Sequence, residues 1–181
     1  MLIEIKKRGQ VWIETVIYIL IGLALIALIL TFVLPRINEE KDKIVIEQTF
    51  SSLQTLDKTI NTVLERGKDN KRVVEFGMKA GEISFDATNN KIIYTLDGLE
   101  KPYSEPDVSI PVGRIVLLTT KGKKTSSVSL TLDYNNFADL TFDESDVLKK
   151  FPPTSTPYRF SIENKGSVGG GNVIIDIKEI S

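Results

Sequence analysis

The chain has 181 residues and a formal net charge of -1, from 23 basic and 24 acidic side chains, and it contains neither cysteine nor histidine. A hydrophobic share of 41% and a charged share of 26% are typical of a folded protein rather than a disordered one. The composition excludes a disulfide framework, a Cys/His zinc site, a thiol nucleophile and a histidine acid–base catalyst. The balanced charge also argues against a nucleic-acid partner, because such proteins carry a basic excess or patch.

A strongly apolar run follows a short basic N-terminus. No charged residue occurs from Thr15 to Pro35, and the run is apolar on every side rather than striped. Since a helix needs about 20 apolar residues to cross a bilayer core, we expect residues 15–35 to form a membrane-spanning helix. The run does not end in the small-residue cleavage site of a secretory signal peptide. The compact basic cluster at residues 6–8 predicts a cytoplasmic N-terminus.

Helical periodicity continues beyond the apolar run in amphipathic form. Apolar residues recur there at steps of three and four: Ile37, Ile44, Ile46, Phe50, Leu53, Leu56, Ile60 and Leu64. Pro35 removes one helical hydrogen bond and is a candidate kink, and Gly67 is a candidate C-cap. We therefore expect one long helix over residues 10–66, whose amphipathic part at 36–66 covers a β domain. The early part of the stripe, from Ile37 to Ile44, has nothing of its own to pack on and is expected to contact neighbouring helices.

From Val73 onward, alternation of apolar and polar residues replaces the helical pattern. The alternation predicts seven or so short strands, of which the clearest cover residues 83–86, 91–96, 114–120, 128–134, 137–142, 158–162 and 173–177. The first two are expected to form a hairpin. This pattern is typical of an antiparallel sandwich. The predicted fold class is therefore α+β: a long N-terminal helix followed by an antiparallel, β-sandwich-like head over residues 67–181.

Catalytic, metal and cofactor sites are not indicated. No nucleophile–base pair or paired acids stand out, so an enzyme anchored in the envelope is disfavoured. The acidic turn at residues 143–146 lacks the glycine and the ligand spacing of a calcium loop, and we interpret it as a solvated turn. We expect no catalytic residue, no metal ligand and no cofactor.

The start of the chain resembles a known processing signal. The residues that carry the resemblance are Lys7, Arg8, Gly9, Gln10 and Glu14, followed by the apolar run. They are similar to the class III signal peptides of archaeal type IV pilins. The resemblance implies that a prepilin peptidase recognises Lys7 and Arg8, cleaves between Gly9 and Gln10, and removes residues 1–9 as a leader.

The resemblance in motif covers about thirty N-terminal residues, whereas the resemblance in architecture covers the whole chain. Trp12 stands where the family often has serine, and Thr15 where an aromatic residue is frequent. The glycine-rich signature of archaellins is absent after Gln10, so the resemblance points to adhesion-type pili rather than swimming filaments. It implies a structural subunit of an extracellular filament, inserted in the cell membrane as a precursor. The implied partners are other copies of the chain, the prepilin peptidase, a pilus assembly ATPase and a membrane platform protein.

Two alternatives remain at this point: a minor pilin-like component, and a membrane-anchored surface protein that binds a ligand or solute. For assembly, the sequence offers Glu14, a carboxylate at the edge of an uncharged apolar helix. It is either an interfacial, hydrated residue or the partner of the α-amino group of Gln10 in a neighbouring subunit. Small residues for close helix packing stand further along the run: Gly22, Ala24 and Ala27.

Overall fold

The structure is a computed structural model that describes residues 3–167 and 169–180, with side chains from residue 11 onward. One helix, α1 (Ile3–Glu65), is followed by ten strands. They are β1 (Lys71–Phe76), β2 (Glu82–Asp86), β3 (Lys91–Leu99), β4 (Ser109–Val112), β5 (Ile115–Lys121), β6 (Ser126–Asp133), β7 (Ala138–Phe142), β8 (Leu148–Phe151), β9 (Tyr158–Ser167) and β10 (Val173–Glu179). The α+β class with a β-rich head is confirmed.

Helix α1 begins at Ile3, seven residues before the predicted start at Gln10. The lysines, arginine and glutamate at residues 4–8 favour helix, and a single glycine costs only about 1 kcal/mol. Pro35 lies inside α1 without ending it. The helix ends at Glu65, where Gly67 adopts a φ of 82° and its N–H bonds to the Leu64 carbonyl. The predicted C-cap is therefore present.

The chain divides into two units, residues 1–40 and residues 41–181. In the first unit the described side chains from residue 11 onward are exposed or half-buried. Over its apolar run, α1 is long and apolar enough to cross a membrane, with a mean hydropathy of 3.0 and no residue of that window buried.

The second unit, which we call the head, combines the last part of α1 with two β-sheets. One sheet has four strands in the order β1-β9-β10-β7, and the other has six in the order β4-β5-β6-β3-β2-β8. Neighbouring strands are antiparallel except β10 and β7, which are parallel. This parallel pair differs from the all-antiparallel expectation. Parallel neighbours need a long connection, and the chain between β7 and β10 provides one, because it contains β8 and β9.

The core of the head contains side chains from both sheets and from α1. The buried residues that α1 contributes are Ile46, Leu53, Leu56, Ile60 and Val63. Fully burying such a side chain stabilises by about 1.5–3 kcal/mol, so this part of α1 is integral to the head. The predicted packing of the stripe in the head is confirmed for Ile46, Leu53, Leu56 and Ile60. Phe50 and Leu64 are only partly buried, Ile44 is 50% exposed, and Val63 is buried in addition. Aromatic rings fill another part of the core, where Phe85 lies 4.9 Å from Phe160 between ring centroids.

Candidate functional site

The residues of the processing motif belong to α1. Lys7, Arg8, Gly9 and Gln10 have helical backbone, whereas their side chains lie outside the described residues. The proposed cleavage position between Gly9 and Gln10 therefore falls within a helical segment. A peptidase needs an extended backbone at the bond that it cuts, so cleavage here requires local unwinding. Gly9 is the residue of this segment that lowers the cost of unwinding most.

Glu14 is exposed on α1, one residue before the uncharged run, and it already takes part in a polar or electrostatic interaction. The adjacent Thr15 donates its hydroxyl proton to the Val11 carbonyl at 2.9 Å. This bond satisfies the hydroxyl within the helix, so Thr15 is compatible with an apolar environment. The carboxylate of Glu14 is then the one charged group between Val11 and Pro35.

The three small residues of the apolar run do not share one face of α1. Ala24 and Ala27 are both exposed and lie about one turn apart, so they are neighbours on the helix surface. Gly22 is two residues before Ala24, which places it about 200° away around a helix of 3.6 residues per turn. A Cβ atom built on Gly22 would meet nothing within 4 Å. The structure thus presents two separate positions for close approach, one at Gly22 and one at the alanine pair.

Exposed apolar residues of α1 continue past the uncharged run. Ile37, in the first unit, is 43% exposed, and Ile44, in the head, is 50% exposed. Within the first unit, other exposed apolar residues share the helix face of Ile37 toward the N-terminus: Ile19, Ile26, Leu30 and Val33. Ile46, only two residues after Ile44, is 1% exposed because it points to the opposite face, which is buried in the head.

A polar cluster joins α1 to the strands within the head. The Tyr134 hydroxyl donates to the Asp57 carboxylate at 2.7 Å, and Arg114 Nε lies 3.6 Å from the same carboxylate. Arg114 also donates to the Asn61 side-chain oxygen at 2.6 Å, and its guanidinium stacks over Phe137 at 4.4 Å from the ring centroid. Burial, followed by the negative charge of Asp57, raises the pKa of Tyr134. The phenol therefore remains a protonated donor. Sequence reasoning missed this cluster, since its residues are far apart in the chain and form no motif.

A second site missed by sequence reasoning is a groove beside α1, which we call the helix–loop groove. Its volume is about 380 Å³, and a neighbouring cavity of about 400 Å³ shares Lys79, Thr154 and Ser155 with it. The groove is lined by α1, by the loop between β1 and β2, and by the loop between β8 and β9: Val45, Gln48, Thr49, Ser51, Ser52, Gly77, Met78, Lys79, Thr154, Ser155 and Pro157.

The acidic turn at residues 143–146 is held by ion pairs and not arranged for a cation. Asp143 pairs with Lys178, and Glu144 pairs with Lys165. Asp143 and Glu144 both have positive φ angles, 50° and 59°. Within the described part of the chain, no group of three or more acidic side chains is positioned to hold a metal ion.

Comparisons with known protein families, with curated proteins and with solved structures find no match to this chain.

Proposed function

We propose that the chain is a structural, non-enzymatic subunit of a type IV pilus-like extracellular filament. In this proposal it enters the cell membrane as a precursor with its N-terminus in the cytoplasm and loses residues 1–9 to a prepilin peptidase. The apolar part of α1 then packs against other copies in the filament core, and the head faces outward and mediates adhesion. Assembly would use an ATPase and a membrane platform protein.

One observation carries the proposal: exposed apolar residues of α1 continue beyond the uncharged run. Ile37 is 43% exposed and follows Pro35 and Arg36, and Ile44 is 50% exposed and follows a charged segment. Residues 39–43 are five consecutive charged residues, which keep this part of the helix out of hydrocarbon. A membrane anchor alone gives no reason for two exposed isoleucines beyond the uncharged run. Packing against helices of other copies gives one.

Glu14 supports the same proposal from the other end of the run. Cleavage before Gln10 would create an α-amino group four residues from Glu14, and in a filament core each charge needs a partner. A carboxylate from one copy that pairs with the amino terminus of the next would fix the axial register between them. Gly22 and the Ala24–Ala27 pair would allow helices to approach closely on two sides, as a core with several neighbouring helices requires.

The proposal is tested by changing the two exposed isoleucines beyond the uncharged run without touching the membrane run. The double variant Ile37→Ser, Ile44→Ser should insert, be processed and keep a folded head, because neither residue is in the head core. In the filament each isoleucine side chain would become more buried, and serine would lose this stabilisation. A total loss of about 1.4 kcal/mol is enough to lower an association constant tenfold. We expect filament yield, counted by electron microscopy after co-expression with the assembly machinery, to fall at least about tenfold.

The matched control is Val73→Ser, because Val73 is similarly exposed, at 49%, but belongs to β1 rather than to α1. This variant should form filaments at the wild-type yield. Filaments formed equally well by the double variant would contradict the proposal. A protein that is inserted and folded but never forms filaments, in the wild type as well, would favour a membrane-anchored ligand-binding protein.

A further inference from the structure

The helix–loop groove has no role in the proposed filament, and its lining residues favour a particular class of small ligand. Its volume of about 380 Å³ lies within the range of small-ligand sites, about 300–1,000 Å³. Every lining residue belongs to the head, so the groove is complete within one unit. It therefore forms without any contribution from residues 1–40.

The walls of the groove are held in place by specific bonds. The Thr154 N–H donates to the Met78 carbonyl at 3.1 Å, which ties the two loops together. The Tyr94 hydroxyl donates to the Ala80 carbonyl at 2.9 Å and fixes the end of the β1–β2 loop. A Cβ atom on Gly81 would lie 2.6 Å from the Tyr94 ring, so the loop also packs closely against β3. A preorganised groove loses little free energy to ordering when a ligand binds.

The lining offers two kinds of surface at once. Hydroxyl and amide groups come from α1 and from the β8–β9 loop: Gln48, Thr49, Ser51, Ser52, Thr154 and Ser155. Ser51 and Ser52 donate their protons to the carbonyls of Glu47 and Gln48, which leaves their oxygens as acceptors. Apolar surface comes from Val45, Met78 and Pro157. A sugar ring has matching chemistry, with hydroxyl groups at its rim and C–H groups on its faces.

The one positive charge in the lining indicates what charge the sugar should carry. Lys79 is the one charged residue among the described residues of both cavities, and it lies where the two cavities meet. No acid in the described part of the chain forms an ion pair with its ammonium group. An acidic sugar can form an ion pair with this cation, whereas a neutral sugar cannot. A simple inorganic anion would use the cation and leave the hydroxyl and apolar surfaces uncontacted.

We propose that the helix–loop groove binds an acidic sugar residue of the hexuronic acid class, as a unit of a surface polysaccharide. The carboxylate of the sugar pairs with the Lys79 ammonium at the junction of the two cavities. The ring hydroxyls donate to Ser51 and Ser52, and the C–H face of the ring rests on Val45 and Pro157. The neighbouring cavity accommodates the next sugar of the chain.

The test uses the full chain in detergent and three probes: glucuronic acid, glucose and inorganic phosphate. Binding is followed by NMR titration. We expect glucuronic acid to bind saturably with a millimolar dissociation constant, at least about tenfold tighter than glucose or phosphate. Lys79→Met should weaken glucuronic acid binding at least about tenfold and make it equal to glucose binding. Lys79 is exposed, so the substitution leaves the fold intact.

The matched control is Lys123→Met, which removes an exposed lysine from the turn between β5 and β6 and should leave all three affinities unchanged. Three results would overturn the inference: no saturable binding of glucuronic acid, equal binding of phosphate or glucose by the wild type, or equal effects of the two lysine substitutions. None of these results bears on filament formation, which is measured separately.

Discussion

The phenol of Tyr134, directly after β6, donates a 2.7 Å hydrogen bond to the carboxylate of Asp57 on α1, although 77 residues separate the two in the chain. The bond connects the helix to the six-stranded sheet inside the head. Arg114 shares the same carboxylate and lies 4.9 Å above the Tyr134 ring. Tyr134 is fully buried, so its hydroxyl would be costly without this acceptor.

The first prediction removes that hydroxyl. Tyr134→Phe should lower the free energy of unfolding of the head by about 1.5–3 kcal/mol, because a hydrogen bond to a charged acceptor is lost from a buried position. The measurement is urea denaturation of a fragment comprising residues 41–181. Tyr158→Phe is the control, since the Tyr158 hydroxyl bonds to a backbone carbonyl at a more exposed position. If the two variants lost equal free energy of unfolding, the hydrogen bond to Asp57 would contribute no more to stability than the exposed one of Tyr158.

The second prediction concerns two glycines with positive φ angles. Gly81 has a φ of 79°, and a Cβ atom there would lie 2.6 Å from the Thr95 carbonyl oxygen, whereas Gly98 has a φ of 86° and open space around it. Gly98→Ala should cost about 1–2 kcal/mol from backbone strain alone. Gly81→Ala should cost about 1–3 kcal/mol more, because the added methyl group also overpacks. Similar melting temperatures for the two variants would contradict the close packing of this loop.

The elements that could be predicted from sequence are those with strong periodicity. The hairpin of β2 and β3 follows from the alternation around Ile83 and Ile92, and its turn contains Asn90 at a φ of 51°. The helical stripe through Leu53 and Ile60 predicted the buried face of α1. In each case the pattern is local, so neighbouring residues suffice to reveal it.

The strands that were missed are short or charged edge strands. β4 contains Pro111, and β8 contains Lys149 and Lys150, which are residues that protect sheet edges from pairing and that weaken the apolar alternation. β1 does not alternate cleanly, because Arg72 takes an inward position and the apolar Val73 an outward one. The parallel pairing of β10 with β7 depends on contacts distant in sequence, which no local pattern reveals.

Candidate sites within one local segment could likewise be predicted from sequence, whereas a site built from distant segments could not. Glu14, Gly22, Ala24 and Ala27 all belong to one continuous segment, and the helical period alone separates Gly22 from the alanine pair. The helix–loop groove takes its walls from residues 45–52, 77–79 and 154–157. Serines, threonines and one lysine in three distant segments form no motif, so the groove is visible only after folding.

The third prediction concerns alkaline pH. Burial raises the pKa of Tyr94 from 10.0 to about 12. The unfolded chain therefore loses this proton before the folded head does, and stability falls as pH rises between those two values. The slope contributed by Tyr94 approaches about 1.36 kcal/mol per pH unit. In Tyr94→Phe, denaturation midpoints measured from pH 8 to 11.5 should fall less steeply than in the wild type. Identical slopes would mean that Tyr94 ionises normally in the folded head.

The fourth prediction concerns Glu14. Glu14→Gln should leave insertion and cleavage intact and reduce filament assembly, because the amino terminus of the neighbouring copy would lose its counter-charge in an apolar core. Breaking one side of a buried pair costs about 3–5 kcal/mol, which lowers an association constant by more than about a hundredfold. If Glu14 is hydrated and interfacial, the same change should have almost no effect. Filament yield and N-terminal mass, measured together, distinguish these outcomes.

The central claim is tested most directly by the intact mass of the chain in filaments sheared from cells that carry the peptidase and assembly machinery. The account predicts filaments whose subunits begin at Gln10, and it predicts that Gly9→Val leaves an uncleaved precursor in the membrane without filaments. Surface filaments built from chains that retain Met1, or a chain that stays membrane-anchored and unprocessed beside active peptidase, would contradict it.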